Sequence, residues 1–320
     1  MIVVVGSLFF KRLKVIDLSK IDSQILFVLW KLYGVQVSQL AVLLGVDEVK
    51  VTRRVRALRE RGYVDNALVL GDGEKALVWL KKKGMRALGE LEEYAWIPDA
   101  ERRENKPSNM LAKHILGEAK IAAWFALPKE ARRKHDLMTV PFSYYQTERD
   151  VRSVAYVLDG KTPKYVDKGL HMPDALYRSR ADGAVAIEYE RTRKPRNVRN
   201  TLITNMRQNS KRFNKQIWVT AHKAGLDVSD KAAKYPDWDI EVIEMRDVED
   251  DLAAYMKSDV EKVNLIGEGH VISKPLSKLP LVAYPVVSEG VKSVEKAANV
   301  TGNGDTKADV ATRLGLNTKR

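Results

Sequence analysis

The sequence has no cysteine, which removes disulfides, thiolate zinc sites and cysteine nucleophiles together and fits a reducing cytoplasm. Histidine is scarce. The five present (His114, His135, His171, His222, His270) contain no His-x-His pair, so a two-histidine metal site beside a tyrosine nucleophile has no material, and Tyr144-Tyr145 reads as strand and core. No Gly-x-x-x-x-Gly-Lys-Ser/Thr loop occurs, which argues against an ATPase. Gly71-Asp72-Gly73 opens no helix, so it is a turn rather than a dinucleotide loop. Long apolar runs are also missing. Met1–Phe10 is about half the length needed to span a bilayer and no basic region precedes it, so a buried strand or helix is expected there and no membrane partner.

What the chain does have is length and positive charge. Its 320 residues suffice for two domains with cores of their own. The 45% apolar and 30% charged residues are ordinary for a soluble globular protein. Lys and Arg outnumber Asp and Glu by 55 to 42, a formal charge of +13. Such a balance attracts nucleic acid, an anionic membrane surface or an acidic protein.

Residues 1–96 read as a winged helix-turn-helix. Helical spacing runs from Asp22 to Leu32 and from Gln36 to Leu44, and Gly45 supplies the turn. Asp47 caps a third helix reaching Arg61 and stopped by Gly62. Within it Val51, Val55 and Leu58 face inward, while Lys50, Arg53, Arg54 and Arg56 lie on other faces. Tyr63–Leu70 and Ala76–Leu80 then form a hairpin, and a closing helix runs to about Tyr94. In this order the basic helix would enter a DNA major groove, with Lys75 and Lys81 near phosphates. A winged helix that binds protein through a solvated charge run is the alternative.

Pro98–Pro107 is charged and bracketed by prolines, so residues 97–107 are expected to be a linker. A second domain follows over residues 108–260, opened by a helix that Ser108 caps and that runs to about Leu127. Strands are expected near Leu137–Tyr145 and Ser153–Leu158, then a hairpin, a basic helix over 195–214, a strand at Gln216–Thr220, a helix near Ser229–Ala233, a strand at Asp239–Ile243 and a helix at Asp247–Lys257. An extension follows over 261–320; from about Val286 it turns polar, and Ser288–Arg320 is expected to be mostly disordered.

The hairpin carries the chemistry. Asp182-Gly183 is a strong turn signal between Ala175-Leu176 and Ala184–Arg191. With a period of two, Val185, Ile187 and Tyr189 share one face and Glu188 and Glu190 the other. Asp174 on the partner strand makes three carboxylates on one side, which a hard divalent cation would reconcile. His114 and Glu118 stack at i, i+4 on the Ser108 helix. They are either an exposed helix pair or a pair reaching toward the hairpin. A solvent-facing Glu pair on an edge strand, balanced by neighbouring arginines, is the alternative reading.

Helix, three strands, helix, strand, with carboxylates on the middle strands, resembles the αβββαβ nuclease core of the PD-(D/E)xK superfamily. Pro173-Asp174 matches its first motif and Glu188-Tyr189-Glu190 its second, except that Glu190 stands where lysine is usual. Lys194, Gln208 or Lys211 could reach that space, Lys211 first among them. With the winged helix, the His-Ile-Leu helix and Glu-Tyr-Glu-Arg-Thr added, residues 18–250 resemble the replication-relaxation family of mobile elements, similar to MobC-type relaxases. The resemblance carries over His114, Asp174, Glu188, Glu190 and Arg191. It implies an α/β (α+β) chain that nicks double-stranded DNA, or a single strand at a nicked origin, at an origin of transfer or replication. Asp174, Glu188 and Glu190 would hold Mg2+ or Mn2+, with Lys211, Glu118 and His114 assisting. Arg191, Arg193, Arg196 and Arg199 would clamp phosphates. A homodimer and accessory mobilisation proteins are partners of the same reading. A non-catalytic regulator or replication initiator on a degenerate nuclease fold is the alternative.

Overall fold

A computed structural model describes residues 18–68, 76–95, 97, 107–147, 149–150, 171–179, 182–192 and 199–266. Outside them lie the Met1–Phe10 run, the Gly71–Gly73 turn with Lys75, most of the expected linker, and the expected strand at Ser153–Leu158. Arg193, Lys194, Arg196 and the polar tail from Ser288 also lie outside. The described chain is mixed α/β, with eight α-helices and two sheets.

The first helices follow their caps. Ser19 and Asp22 form a capping box that starts α1 (Lys20–Lys31). From Asp22 to Lys31 that helix is buried all round, the mark of a helix at the centre of a core rather than on its surface. Helix α2 (Val37–Leu44) ends at Gly45 with φ +62°. A Cβ there would lie 2.2 Å from the Val263 carbonyl oxygen, so only glycine fits. Asp47 accepts from the Val49 amide to open α3 (Glu48–Glu60). Strands β1 (Val64–Leu68) and β2 (Ala76–Leu80) pair antiparallel, Val64 opposite Leu80. Helix α4 (Lys82–Glu90) is shorter than expected: Leu91 is extended, and a 3-10 turn takes Glu92–Tyr94.

Ser108 accepts from the Leu111 amide and opens α5 (Asn109–Ala126). The large sheet has the order β3-β4-β5-β6-β7. Strands β3 (Gln146–Thr147), β4 (Ala175–Ser179) and β5 (Gly183–Glu190) are antiparallel, whereas β6 (Lys215–Thr220) and β7 (Ile240–Glu244) continue parallel to β5. Parallel pairs need crossovers, supplied by α6 (Arg199–Ser210) and α7 (His222–Ala232), and α8 (Met245–Lys257) follows β7. The period of two sorts the faces. Val185, Ile187, Ile217 and Val219 join the main core with residues of α5 and α8, while Trp218 packs with Leu202, Met206 and Val228 of α6 and α7.

The strand expected at Leu137–Tyr145 is absent apart from β3 beside it. Two of its carbonyls are taken by a buried guanidinium: Arg132 donates to the oxygens of Leu137 and Met138 (2.8 Å), and also to that of Phe125 in α5 (3.4 Å). Backbone acceptors used this way are lost to a ladder.

The two halves do not keep separate cores. One apolar cluster runs from Ile25 of α1 through α5 and the sheet to Tyr255 of α8. Polar ties cross the same junction. Gln39 donates to the Leu116 carbonyl (3.1 Å) and Arg149 to that of Trp30 (2.6 Å). The Leu265 peptide donates to Leu43 O and accepts from Phe142 N.

Where β7 meets α8, His135 lies between two acids, Nδ1 3.6 Å from Glu241 and Nε2 3.4 Å from Asp247. The hydrogen bond to Glu241 raises its pKa over the opposing pull of burial, and Asp247 adds to the rise. His135 in turn lowers Glu241. A raised histidine contributes stability fully below its unfolded value and loses it as pH rises through the folded one. The lowered carboxylate contributes above its unfolded value and loses it on acidification. The stability gap between the natural chain and His135→Gln is therefore expected to be widest at roughly pH 5 to 6.5 and to close toward pH 9. Urea midpoints across that range check this, and a gap independent of pH would mean a neutral imidazole.

Candidate metal centre

The site is built where α5 crosses the Tyr189 face of β5. His114 and Glu118, one helical turn apart, point from α5 toward the segment entering β4. There Asp174 completes a group whose donor atoms all lie within 4.8 Å of one another. His114 Nε2 is 2.9 Å from Glu118 Oε1 and 3.7 Å from Asp174 Oδ1. All three side chains are partly exposed, at 32%, 23% and 27%, so a bound ion would keep open positions toward solvent.

Two of these donors are aimed by Tyr189. Its amide donates to Asp174 Oδ2 (2.7 Å), leaving Oδ1 toward His114, and its ring stacks on the His114 imidazole at 5.2 Å and 24°. The ring fits beneath α5 because position 117 has no side chain: a Cβ on Gly117 would sit 2.1 Å from Tyr189 Cε1. Burial alone would lower the His114 pKa. Hydrogen bonds to Asp174 and Glu118 outweigh it and push the value up to about 10, so without a metal the cluster is held together by a proton.

The three carboxylates expected to share an ion are not gathered that way. Asp174 joins His114 and Glu118 instead, and no group of donors within one ion's reach contains Glu188 or Glu190 among the described residues. The pleat is the reason: Glu188 faces α6. Its Oε1 is 2.5 Å from His171 Nε2 and accepts from Asn209 Nδ2 at 2.7 Å, and the side chain is buried. Burial pushes the Glu188 pKa up to about 7 against the pull of His171, and the Asp174 charge adds to the rise. Burial lowers the His171 pKa, but its bond to Glu188 prevails and raises it. Each member of the pair thus keeps its proton to a higher pH than a free side chain of its kind would.

Glu190 is buried at the end of β5, with Oε1 3.4 Å from the Thr192 amide. Lys211, expected to replace the missing lysine, is exposed in the turn after α6. Helix α6 reaches the site through other residues, Asn209 to Glu188 and Gln208 to the His171 amide (2.5 Å), and Arg212 in the turn after it donates to the His171 carbonyl (2.7 Å). Sequence reasoning passed over His171, Asn209, Gly117 and the Tyr189 ring. The one available signal was His171 standing three positions before Asp174.

On α3, Lys50, Arg53 and Arg56 are exposed along the side away from Val51, Val55 and Leu58. Arg54, expected to face DNA with them, is committed inward. It clasps the buried Asp22 carboxylate, Nε to Oδ1 at 2.8 Å, and reaches Ser19 Oγ at 3.2 Å. It joins α3 to α1. Lys81 lies 3.9 Å from Asp65, both half exposed, and Arg191 is partly exposed just after β5. Arg199 opens α6, its side chain outside the described ones. Among the described residues no helix is long and apolar enough to cross a membrane. Comparison with family models, curated proteins and solved structures finds no match.

Proposed function

We propose that the chain is a DNA-binding, metal-dependent endonuclease that nicks at an origin of transfer or replication of a mobile element. The observation that carries this reading is the convergence of His114 and Glu118 with Asp174, from two separate elements, at the mouth of the β4–β5 hairpin. In this reading α1–α3 with the β1–β2 hairpin are a winged helix. The sheet with α5 and α6 is a PD-(D/E)xK-like core, and α3 reads the duplex through Lys50, Arg53 and Arg56.

The donor set fits a divalent cation, Mg2+ or Mn2+ in the reading above: two carboxylates and an imidazole, partly open to solvent. Bound there, the ion would acidify a water and offset charge building on the phosphate. The protein's own part is positioning. Glu118 and Asp174 fix the cation, and Tyr189 holds Asp174 and His114 in register. From the other face of the sheet, Glu188 ties down His171 in the segment that leads to Asp174. Arg191 is placed to meet a flanking phosphate.

A regulator or initiator without catalysis is the second reading, favoured by the binding of Glu188 to Asn209 and by glutamate at position 190. Supercoiled plasmid with Mn2+ or Mg2+ separates the two. The nuclease reading expects nicked circles, a loss of at least 100-fold in Asp174→Ala, and DNA binding intact in that variant. Arg53→Ala and Arg56→Ala are expected to weaken binding, each flattening the log–log salt dependence by about 0.9. Binding without cleavage under either metal supports the regulator.

A further inference from the structure

We propose that the His114–Glu118–Asp174 cluster is a transition-metal site, preferring Mn2+, Fe2+, Co2+ or Zn2+ over Mg2+ and Ca2+, with Tyr189 as its positioning residue. This rests on the reading of the cluster as a metal centre and names the class of metal it takes.

An all-carboxylate site, as the hairpin motif suggests, would suit a hard cation. Mg2+ takes oxygen ligands, holds most of its waters and gains little from an imidazole. Nitrogen donors shift preference toward the later divalent metals. In this fold a nitrogen is the central atom of the cluster: His114 Nε2 faces both Glu118 and Asp174, at 2.9 and 3.7 Å. The glutamate that would have kept the site all-oxygen is withdrawn, since Glu188 is buried against His171 and Asn209 on the other face of the sheet.

A histidine serving only as a counter-ion for two acids needs no fixed ring plane. This one has it. Tyr189 stacks its ring on the imidazole and ties Asp174 Oδ2 through its backbone amide, so one residue orients two of three donors. Partners of that kind, holding ligands at their angles, are a recurrent part of metal sites. The opening for the Tyr189 ring is made by a glycine inside α5. Glycine there weakens the helix, and the space goes to the residue that aims the donors.

The test uses the full chain, stripped with a chelator. Calorimetric titrations with MnCl2 and MgCl2 are expected to give one Mn2+ per chain, bound at least tenfold tighter than Mg2+. Pulsed electron paramagnetic resonance on the Mn2+-loaded natural chain is expected to show coupling to a single imidazole nitrogen, a readout that needs no variant to fold. His114→Gln removes that coupling and levels the two affinities. Tyr189→Leu weakens Mn2+ binding more than Mg2+ binding. Equal affinities, absent nitrogen coupling, or no metal bound overturns the proposal. Nicking that runs on Mg2+ with no nitrogen coupling would overturn it while leaving the nuclease standing. Mn2+ bound through His114 with no nicking would do the reverse.

Discussion

Replacing Gly117 with alanine is expected to abolish metal binding and nicking together and to cost about 1–3 kcal/mol of stability. On helix propensity alone the change should help, since alanine in a helix interior is favoured over glycine by about 1 kcal/mol. Space decides the sign. The added Cβ would lie 2.1, 2.4 and 2.6 Å from Cε1, Cζ and Oη of Tyr189, and the ring cannot simply swing aside because His114 is stacked on it. Either α5 lifts from the sheet or the ring leaves and takes the imidazole plane with it. Both separate His114 and Glu118 from Asp174. Thermal unfolding and Mn2+ titration of Gly117→Ala measure the two effects. A variant more stable than the natural chain and binding Mn2+ normally would mean that the ring has room the geometry denies it.

Gly117 also marks the limit of what the sequence discloses. Features set by neighbours along the chain were legible. Gly183, beside Asp182, opens β5 opposite Ser179 at φ +69°. Asp47 and Ser108 cap their helices, and the alternation in β5 sends Val185 and Ile187 to the main core. The His114–Glu118 pair was legible for the same reason, as one helical turn. Which of two meanings that pair had depended on a residue 56 positions beyond Glu118. Periodicity carries no information over such a distance.

The misplaced residues share this cause. Arg54 and Lys50 look alike in a helix written as letters, yet Arg54 faces a buried aspartate 32 residues away. Glu188 is on β5 and Asp174 just precedes the neighbouring β4 rather than lying on it, and a carboxylate's company is set by the helix over its face. Asn209 arrives there only because the crossover after β5 returns over the sheet. Glycine at 117 gave no warning, since a helix glycine can signal a kink, a cap or a close approach. The linker expectation failed to foresee the shared core for a related reason. Composition describes the connecting stretch and says nothing about whether the faces on either side of it are complementary.

That shared core sets up the second large effect. Asp150→Asn is expected to destabilise the protein by about 3–5 kcal/mol, through Lys31 rather than through Asp150 itself. Lys31 ends α1 with its side chain 3% exposed, and its ammonium is 3.2 Å from Asp150 Oδ2, whose side chain is 5% exposed. The same carboxylate accepts from the amide and hydroxyl of Thr147, at 2.8 and 3.0 Å. Asparagine can keep an acceptor for Thr147 but not the charge. Burial lowers the Lys31 pKa from its ordinary 10.5, and Asp150 is what opposes that fall. Once Asp150 is neutral, the lysine must stay charged in an apolar setting, beside the rings of Phe27 and Phe142 at 5.7 and 5.2 Å, or give up its proton. A group whose folded pKa lies below its unfolded one costs stability while the unfolded chain binds the extra proton. That cost fades as pH climbs toward the unfolded value. The single variant should therefore regain stability between neutral pH and about 10.5, whereas Lys31→Met with Asp150→Asn should stay near the natural chain throughout, because no unpaired charge is left. Urea unfolding at pH 7, 8.5 and 10 separates these outcomes. Equal losses for the single and double variants, with no recovery in alkali, would mean that water reaches the ammonium and that the junction between α1 and the sheet is held by packing alone.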